Sequence, residues 1–378
     1  MALFKPLQVG RVELAHRIAM APLTRFRADE NHVPILPMVQ DYYTQRASVP
    51  GTLLVTEATL ISAQSGTYAN IPGIYTREQI DAWRKVTDSV HSKGSYIYLQ
   101  IWALGRTANL ELLKKETGRD DIELVSSSNI ALGQNSTPKP LTEAEIEQYI
   151  KDFATAAKDA VELAGFDGVE IHGANGYLID QFTKEVANKR TDRWGGSIEN
   201  RSRFALEIIK AVTDAIGADR TGIRFSPYGD FQGMHIDDPK PQYTYLAQQL
   251  AKFKLAYVHL VEARSQGFDI IDTPDSLDFF LDAYNKASPV LLAGGYDAKN
   301  TADAIEERHK RGQDNIVVAF GRWFISNPDL PFKIQRGIEF TPYVRDTFYL
   351  PQVETGLTDY PFSEEFVAQN PVAIKAKA

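Results

Sequence analysis

The sequence predicts an α/β fold, a (β/α)8 TIM barrel with loop excursions on the face formed by the carboxyl ends of its strands. Eight short apolar runs each precede a segment of helical character, which is the alternation that such a barrel requires. Residues 168–172 also alternate apolar and polar side chains inside this pattern, which favours a barrel over an open sheet. The runner-up, a doubly wound open sheet, calls for a Gly-x-Gly-x-x-Gly turn after an early strand, and the sequence has none there.

The predicted strands are short apolar runs, several of them nearly continuous, as strands buried in a parallel sheet are. They cover residues 17–25, 51–57, 95–101, 168–172, 221–226, 256–261, 289–293 and 315–319. No break in composition marks a second domain. We therefore expect one domain over residues 1–378, with the barrel at about 15–340 and a C-terminal tail at about 341–378 that folds back on it.

The predicted helices follow these strands and carry recognisable start and stop signals. A capping box at Thr142 and Glu145 opens one of them, and an N-cap and N1 pair, Asn327 and Pro328, opens the last. Residues 105–140 are polar and irregular, which predicts a long excursion on the barrel top. The predicted helices are a segment with Tyr42 and Tyr43 that ends at Arg46, then 78–93, 142–164, 198–216, 241–253, 276–286, 300–311 and the helix that begins at Asn327.

The amino-acid composition excludes several classes of function. A hydrophobic fraction of 43% and a charged fraction of 24% are typical of a soluble globular protein. The net charge of −8 argues against a nucleic-acid partner. No apolar run is long enough to cross a membrane and we expect no secretory signal, so we predict a cytoplasmic protein. The absence of cysteine excludes disulfides, thiolate metal sites and a cysteine nucleophile, and the histidine spacing indicates no metal site.

Three polar side chains cluster just after the fourth predicted strand. His172 ends the strand, and Asn175 and Tyr177 follow within the glycine-rich turn. Catalytic groups of such barrels gather at the carboxyl ends of the strands. The alternative is a satisfied core histidine beside turn residues that need unusual backbone angles. The close spacing of the three favours the catalytic interpretation.

Glycines follow the last two predicted strands. Gly294 and Gly295 follow strand seven, and Gly321 and Arg322 follow strand eight. Loops at these places often bind a phosphate through bare backbone N–H groups, to which an arginine adds a charge-assisted bond. The alternative is a pair of tight packing turns with a surface arginine. A phosphate site alone does not identify the ligand, because many barrels bind sugar phosphates there.

Other polar residues lie on or just beyond predicted strands. Arg224 lies on strand five, and two interpretations of it are open. It forms a structural ion pair with Glu170, or it is a fixed cation beneath a ligand that becomes anionic. Gln100 ends strand three, and Thr24 lies just past strand one. Each is a candidate hydrogen-bonding group for a polar ring, and the alternative is an ordinary strand-end residue. His259 on strand six has no polar cluster around it in the sequence and is interpreted as core.

With these residues placed, the sequence resembles the old yellow enzyme family of FMN-dependent alkene reductases over nearly its whole length. Two further segments are most similar to the fungal branch, Tyr42-Tyr-Thr-Gln-Arg-Ala-Ser48 and Leu291-Leu-Ala-Gly-Gly-Tyr296. The motifs that carry the resemblance are Ala21-Pro-Leu-Thr-Arg25, Gln100-Ile-Trp102, Gly168-Val-Glu-Ile-His-Gly-Ala-Asn-Gly-Tyr177, Arg193-Trp-Gly-Gly-Ser-Ile-Glu-Asn-Arg201, Ser226-Pro-Tyr228, Gly321-Arg-Trp-Phe-Ile-Ser-Asn-Pro-Asp329 and Asp346-Thr-Phe-Tyr349.

The resemblance implies a role for each site residue. His172 and Asn175 bind the carbonyl oxygen of the substrate, and Tyr177 delivers a proton. Non-covalent FMN contacts Pro22, Thr24, Ala58, Gln100, Arg224, Gly294, Gly295, Gly321 and Arg322. The substrate pocket is walled by Tyr68, Trp102, Phe231, Phe268 and Tyr349.

The resemblance also implies the reaction. NADPH or NADH reduces the FMN, and an α,β-unsaturated carbonyl compound, an enone or enal, then takes the place of the nicotinamide in one shared site. The alternative on the same flavin is an alkene isomerase or aldehyde reductase of fungal alkaloid-type metabolism. A lyase or aldolase barrel with a sugar phosphate is a third hypothesis. The chain is expected to be a monomer or a homodimer.

Overall fold

A computed structural model describes residues 2–267 and 269–370. Its central feature is a closed barrel of eight parallel strands, which confirms the predicted (β/α)8 barrel. The strands are β1 (Ile18–Met20), β2 (Leu53–Val55), β3 (Tyr96–Trp102), β4 (Gly168–His172), β5 (Thr221–Phe225), β6 (Tyr257–Val261), β7 (Val290–Ala293) and β8 (Ile316–Phe320). They pair in the order β2-β1-β8-β7-β6-β5-β4-β3, and β2 also pairs with β3, which closes the barrel.

Strand alternation sorts the barrel side chains into two buried layers. One layer packs against the surrounding helices, with Leu99, Ile171 and Val258 among its members. The other layer fills the barrel interior, and the hairpin of strands Leu7–Val9 and Val12–Leu14 closes the end where the strands begin. The apolar members of the interior layer are Ala19, Ala21, Leu53, Tyr98, Tyr257, Leu291, Ala293, Val317 and Ala319.

Helices cover the barrel as the sequence predicted, with ends that differ by a few residues. The capping box at Thr142 is present, since its side chain accepts from Glu145 N and the Glu145 carboxylate accepts from Thr142 N. The barrel helices are Met38–Arg46, Arg77–His91, Glu143–Glu162, Ile198–Ile216, Lys240–Leu250, Asp278–Tyr284, Thr301–Lys310 and Leu330–Arg336.

Shorter elements decorate the loops. The predicted excursion at 105–140 contains a helix, Leu110–Thr117, and a pair of two-residue strands, Val125–Ser126 and Lys139–Pro140. Strand Thr59–Leu60 extends the edge of β3, and Ser265–Gln266 pairs with Asp269–Ile270. The remaining elements are helices Leu178–Thr183, Arg322–Ser326 and Glu364–Gln369 and 3-10 turns Ala2–Phe4, Gly105–Thr107, Ala218–Arg220 and Arg345–Thr347. Within the described ranges, no helix has the length and apolar character needed to cross a membrane.

One predicted helix start is wrong. Asn327 is the C-cap of the short helix Arg322–Ser326, and the last barrel helix begins after Asp329 with Pro331 in its first turn. Asn327 is held where it is by its side chain, because Oδ1 accepts from Lys333 Nζ at 2.7 Å and from Thr341 N at 2.8 Å. A side chain fully bonded in this way is not available to cap the next helix.

The part of the C-terminal tail that the structure describes, residues 341–370, lies against the barrel, and buried arginines hold it there. Arg25 donates to the carbonyl oxygens of Phe348 and Gly356, at 3.1 and 2.6 Å. Arg27 donates to the same Phe348 oxygen at 3.0 Å and to Val353 O at 3.0 Å. Bonds to main-chain carbonyls fix the course of this segment, which carries Tyr349 to the top of the barrel.

Candidate active site

A cavity of about 670 Å³ opens at the carboxyl ends of the barrel strands. Its lining joins the ends of β1, β5, β7 and β8 to the C-terminal tail, so groups distant in sequence meet there. The predicted site residues that line it are Pro22, Thr24, Asn175, Arg224, Gly294, Gly295, Gly321, Arg322 and Tyr349.

The turn after β7 consists of two glycines and so presents main chain without side chains. Gly294 has a φ of +123° and Gly295 a φ of +67°, both in the region that side chains disfavour. A Cβ on Gly294 would lie 2.8 Å from Ser265 Cβ, and one on Gly295 would lie 2.9 Å from Arg264 Nε. Glycine at both positions therefore lets this turn pack closely against Arg264 and Ser265 in the loop after β6.

The same end of the cavity is rich in positive charge. Arg322 and Arg345 line it together with Arg264, which the sequence analysis missed. Arg264 Nε donates to Gly294 O at 2.9 Å, and its guanidinium lies 4.6 Å from the ring centre of Tyr296. One feature of the sequence could have identified Arg264. It is a cation three positions beyond the end of strand β6, and barrels place functional groups just after their strands.

A buried polar cluster forms the floor of the site. Glu170 accepts hydrogen bonds from Gln100 Nε2 and from His259 Nδ1, each at 2.8 Å. The side chains of Glu170 and His259 are both 0% exposed. His259 is a core residue as interpreted, but the statement that it has no polar cluster around it is wrong, because its polar partner comes from a strand distant in sequence. Burial alone would raise the pKa of Glu170, but His259, Arg224 and Gln100 together hold it below its usual value.

Arg224 lies between this cluster and the cavity. It lines the cavity, and its Nε is buried without a hydrogen-bond partner among the described residues. Within those residues no ion pair joins it to Glu170, which bonds instead to Gln100 and His259. Of the two alternatives for Arg224, the geometry therefore favours a cation presented to the cavity. Burial lowers its pKa, while the charge of Glu170 opposes that shift.

The hydrogen bond accepted by His172 defines which of its ring nitrogens is the donor. Its Nδ1 accepts from Ala174 N at 3.3 Å, which places the proton of the neutral ring on Nε2. Burial, with help from the charge of Arg224, lowers its pKa well below 6.5. The ring is therefore neutral near pH 7, and Nε2–H is available to an acceptor oxygen.

Asn175 and Tyr177 are linked through one glutamine. Asn175 has a positive φ of 57°, and its main chain is held by Ser226 Oγ at 2.9 Å and by Gln232 Nε2 at 3.1 Å. Gln232 also bonds the side chain of Tyr177, whose pKa is raised above 10.0 mainly by burial. The Tyr177 phenol is therefore protonated at neutral pH. The sequence analysis did not single out Gln232.

Aromatic rings pack around these groups. The Tyr177 ring lies 4.9 Å from His172 and 4.6 Å from Trp102, and Tyr68 lies 5.9 Å from Trp102, centre to centre. Ala58 is buried in the same cluster as Trp102. The structure thus brings together five residues of the predicted site, His172, Tyr177, Trp102, Tyr68 and Ala58.

Two more predicted wall residues stand at the mouth of the site. Tyr349 is 48% exposed and packs against Phe26 at 5.8 Å, while Phe231 is 39% exposed. Phe231 Cδ2 lies 3.9 Å from where a Cβ on Gly267 would stand, across the mouth. Phe268 lies outside the described residues.

Comparison with known proteins agrees with this architecture. A chanoclavine-I aldehyde reductase of Penicillium roqueforti is 61% identical over 96% of this chain and 97% of its own. An NADP-dependent oxidoreductase of Aspergillus flavus is 48% identical over 98% of this chain and 99% of its own. The crystal structure of an old yellow enzyme from a Pichia species superposes with a TM-score of 0.87 at 38% identity, covering 96% of this chain and 94% of that one.

The sequence model of the NADH:flavin oxidoreductase / NADH oxidase family matches residues 2–340. Proteins of this family use FMN and take hydride from NADH or NADPH. The match spans the barrel, the glycine turns and the cluster around Tyr177, so the chain belongs to the old yellow enzyme family of FMN-dependent oxidoreductases.

Proposed function

We propose that the protein reduces the activated C=C bond of α,β-unsaturated carbonyl compounds at the expense of NADH or NADPH. The observation that carries the proposal is the pairing of a neutral His172, whose Nε2–H is free to donate, with a protonated Tyr177 whose ring lies 4.9 Å away. One group is suited to hold an oxygen that gains negative charge, and the other to protonate carbon.

FMN fits the cavity on observations of the chain itself. The glycine turn after β7 and the cations Arg264 and Arg322 suit a phosphate monoester. Arg224, with a buried Nε that lacks a partner among the described residues, suits the pyrimidine end of the flavin, which becomes negative on reduction. Pro22, Thr24, Ala58, Gln100, Gly294, Gly295 and Gly321 complete the proposed FMN contacts.

FMN held by these residues would supply hydride transfer between the nicotinamide and the β-carbon of the substrate. The chain does the rest. His172 and Asn175 hold the substrate carbonyl oxygen as negative charge develops there. Tyr177 gives its phenolic proton to the α-carbon, so one hydride and one proton saturate the double bond. Tyr68, Trp102, Phe231 and Tyr349 are proposed to wall the substrate, and both substrates use this one site in turn.

NADPH consumption with cyclohexenone tests the proposal. We expect stoichiometric loss of NADPH and appearance of cyclohexanone by mass spectrometry, with one deuterium at the β-carbon when deuterated NADPH is used. Deuterium that appears instead on a carbinol carbon would show carbonyl reduction and contradict the proposal.

A second candidate is favoured by the name of the 61% identical relative, a chanoclavine-I aldehyde reductase. On this hypothesis the enzyme acts as an aldehyde reductase or isomerase in a fungal alkaloid pathway. An isomerase would convert an enal without net loss of NADPH. The 48% identical relative named NADP-dependent supports NADPH as the donor. Cytoplasmic location and the choice between monomer and homodimer stay predictions.

A further inference from the structure

His259 is a fully buried histidine to which the proposed reaction gives no task. It lies on β6, and its bond to Glu170 on β4 passes over the intervening strand β5. The β5 residue in register with Glu170 is Gly222, and a Cβ there would stand 2.6 Å from Tyr257 Cζ. A glycine in this row therefore leaves room inside the barrel for the side chains of the flanking strands to meet.

The bond has an electrostatic consequence for Arg224. Arg224 is in register with His259 on one side and with His172 on the other. A carboxylate beside a buried guanidinium ordinarily forms a bidentate pair with it. Here one oxygen of Glu170 accepts from Gln100 and the other from His259, so both lie on bonds that lead away from Arg224.

We propose that His259 is a positioning residue that, by donating to Glu170 across β5, keeps that carboxylate from pairing with Arg224 and so leaves the Arg224 charge directed into the cavity. The inference rests on the proposed role of Arg224 beneath the flavin. On this proposal the buried Glu170–His259 pair touches neither the flavin nor the substrate. It controls how much of the positive charge of Arg224 reaches the ligands in the cavity.

Three variants separate this role from simple core packing. His259→Leu keeps the side-chain size and removes the donor, whereas His259→Asn keeps an N–H close to the position of Nδ1. Glu170→Gln removes the negative charge. Tyr98→Phe is the matched control, because Tyr98 is buried in the same interior layer and its hydroxyl has no partner among the described residues.

The measurements are the midpoint potential of bound FMN and the affinity of the oxidised holoenzyme for 4-chlorophenol. With Leu at 259, Glu170 turns to Arg224, so the potential should become more negative and phenolate binding should weaken by about ten- to hundredfold. His259→Asn should restore both values. Glu170→Gln should shift both in the opposite direction, and Tyr98→Phe should leave both unchanged.

A purely structural histidine would lower the unfolding midpoint of the Leu variant and leave the potential of its bound FMN as it was, which would overturn the proposal. If the Leu variant does not fold, Glu170→Gln decides alone, and an unchanged or more negative potential overturns it. Neither measurement requires enone turnover. A holoenzyme that shows these shifts but reduces no enone would contradict the proposed function and support the inference.

Discussion

The two halves of the candidate site are built in different ways. The half at β7 and β8 is made of main chain, with glycines at φ +123° and +67° and Arg264 packed against the turn. The half at β3 and β4 is made of side chains, His172, Asn175 and Tyr177, held by Gln232 and by neighbouring rings. The first half suits binding of a constant group, and the second suits chemistry. Substitutions should therefore separate binding from chemistry.

The largest separation is expected at Tyr177. Its phenol is proposed as the proton donor to substrate carbon, and positioned general acids contribute about 10²–10⁴-fold, or roughly 3–5 kcal/mol of barrier. Tyr177→Phe should slow oxidation of the reduced enzyme by cyclohexenone by about that factor. It should retain FMN and accept hydride from NADPH at nearly the wild-type rate. Stopped-flow measurement of each half-reaction checks this.

Acceptors that need no carbon protonation provide the control for Tyr177. Oxygen and quinones should reoxidise the reduced Phe variant at nearly the wild-type rate. Undiminished enone turnover in the Phe variant would rule out Tyr177 as the essential acid. Loss of both half-reactions together would indicate that the tyrosine only packs in the turn.

Arg224 lies between the two halves, so its replacement should affect both. Arg224→Met removes a charge-assisted contact, an interaction of about 1.5–3 kcal/mol. FMN should bind about ten- to hundredfold more weakly, and reduction by NADPH should slow because charge near the pyrimidine end of the flavin loses its counter-ion. The FMN dissociation constant by fluorescence and the midpoint potential are the measurements. A folded variant with unchanged values contradicts the role, and failure to fold would show that Arg224 is needed for stability.

A smaller effect, confined to the main-chain half, is expected at Gly295. Gly295→Ala places a Cβ 2.9 Å from Arg264 Nε, so the turn or Arg264 must move. FMN should bind about tenfold more weakly, a loss of about 1.4 kcal/mol. Oxidation of the FMN-loaded fraction by cyclohexenone should remain normal, because His172 and Tyr177 are untouched.

Gly337→Ala is the matched control for this glycine. Gly337 has a φ of +69°, close to the +67° of Gly295, and a Cβ there would meet nothing within 4 Å. Both variants carry the cost of a left-handed alanine, about 1–2 kcal/mol of stability. Equal FMN affinities in the two would show that the turn after β7 tolerates a side chain and does not bind the phosphate closely.

Local elements and contacts between distant residues differ in how far the sequence predicts them. Strand Gly168–His172 and helix Ile198–Ile216 were predicted to the residue, because local alternation and helix periodicity define them. Glycines and the spacing of His172, Asn175 and Tyr177 located both halves for the same reason. Contacts between distant residues leave no such pattern. The His259–Glu170 bond joins positions 89 apart, and the Arg25–Gly356 bond joins positions 331 apart. The roles of individual site residues stay predictions until the variants are made.

The smallest expected effect is that of pH on the side-chain half. The pKa of His172 lies well below 6.5, so the ring stays neutral and Nε2–H stays in place as pH falls from 8 to 6. The pKa of Tyr177 lies above 10.0, so its proton is also present throughout this range. Oxidation of the reduced enzyme by cyclohexenone should therefore change by less than about twofold between pH 6 and 8, since neither group changes its protonation state. The rate should fall only at more acidic pH, where His172 gains a proton, or at more alkaline pH, where Tyr177 loses one. An inflection near pH 6.5 that disappears in His172→Asn would show that this ring titrates as an exposed histidine does, and that the burial found here does not hold it neutral.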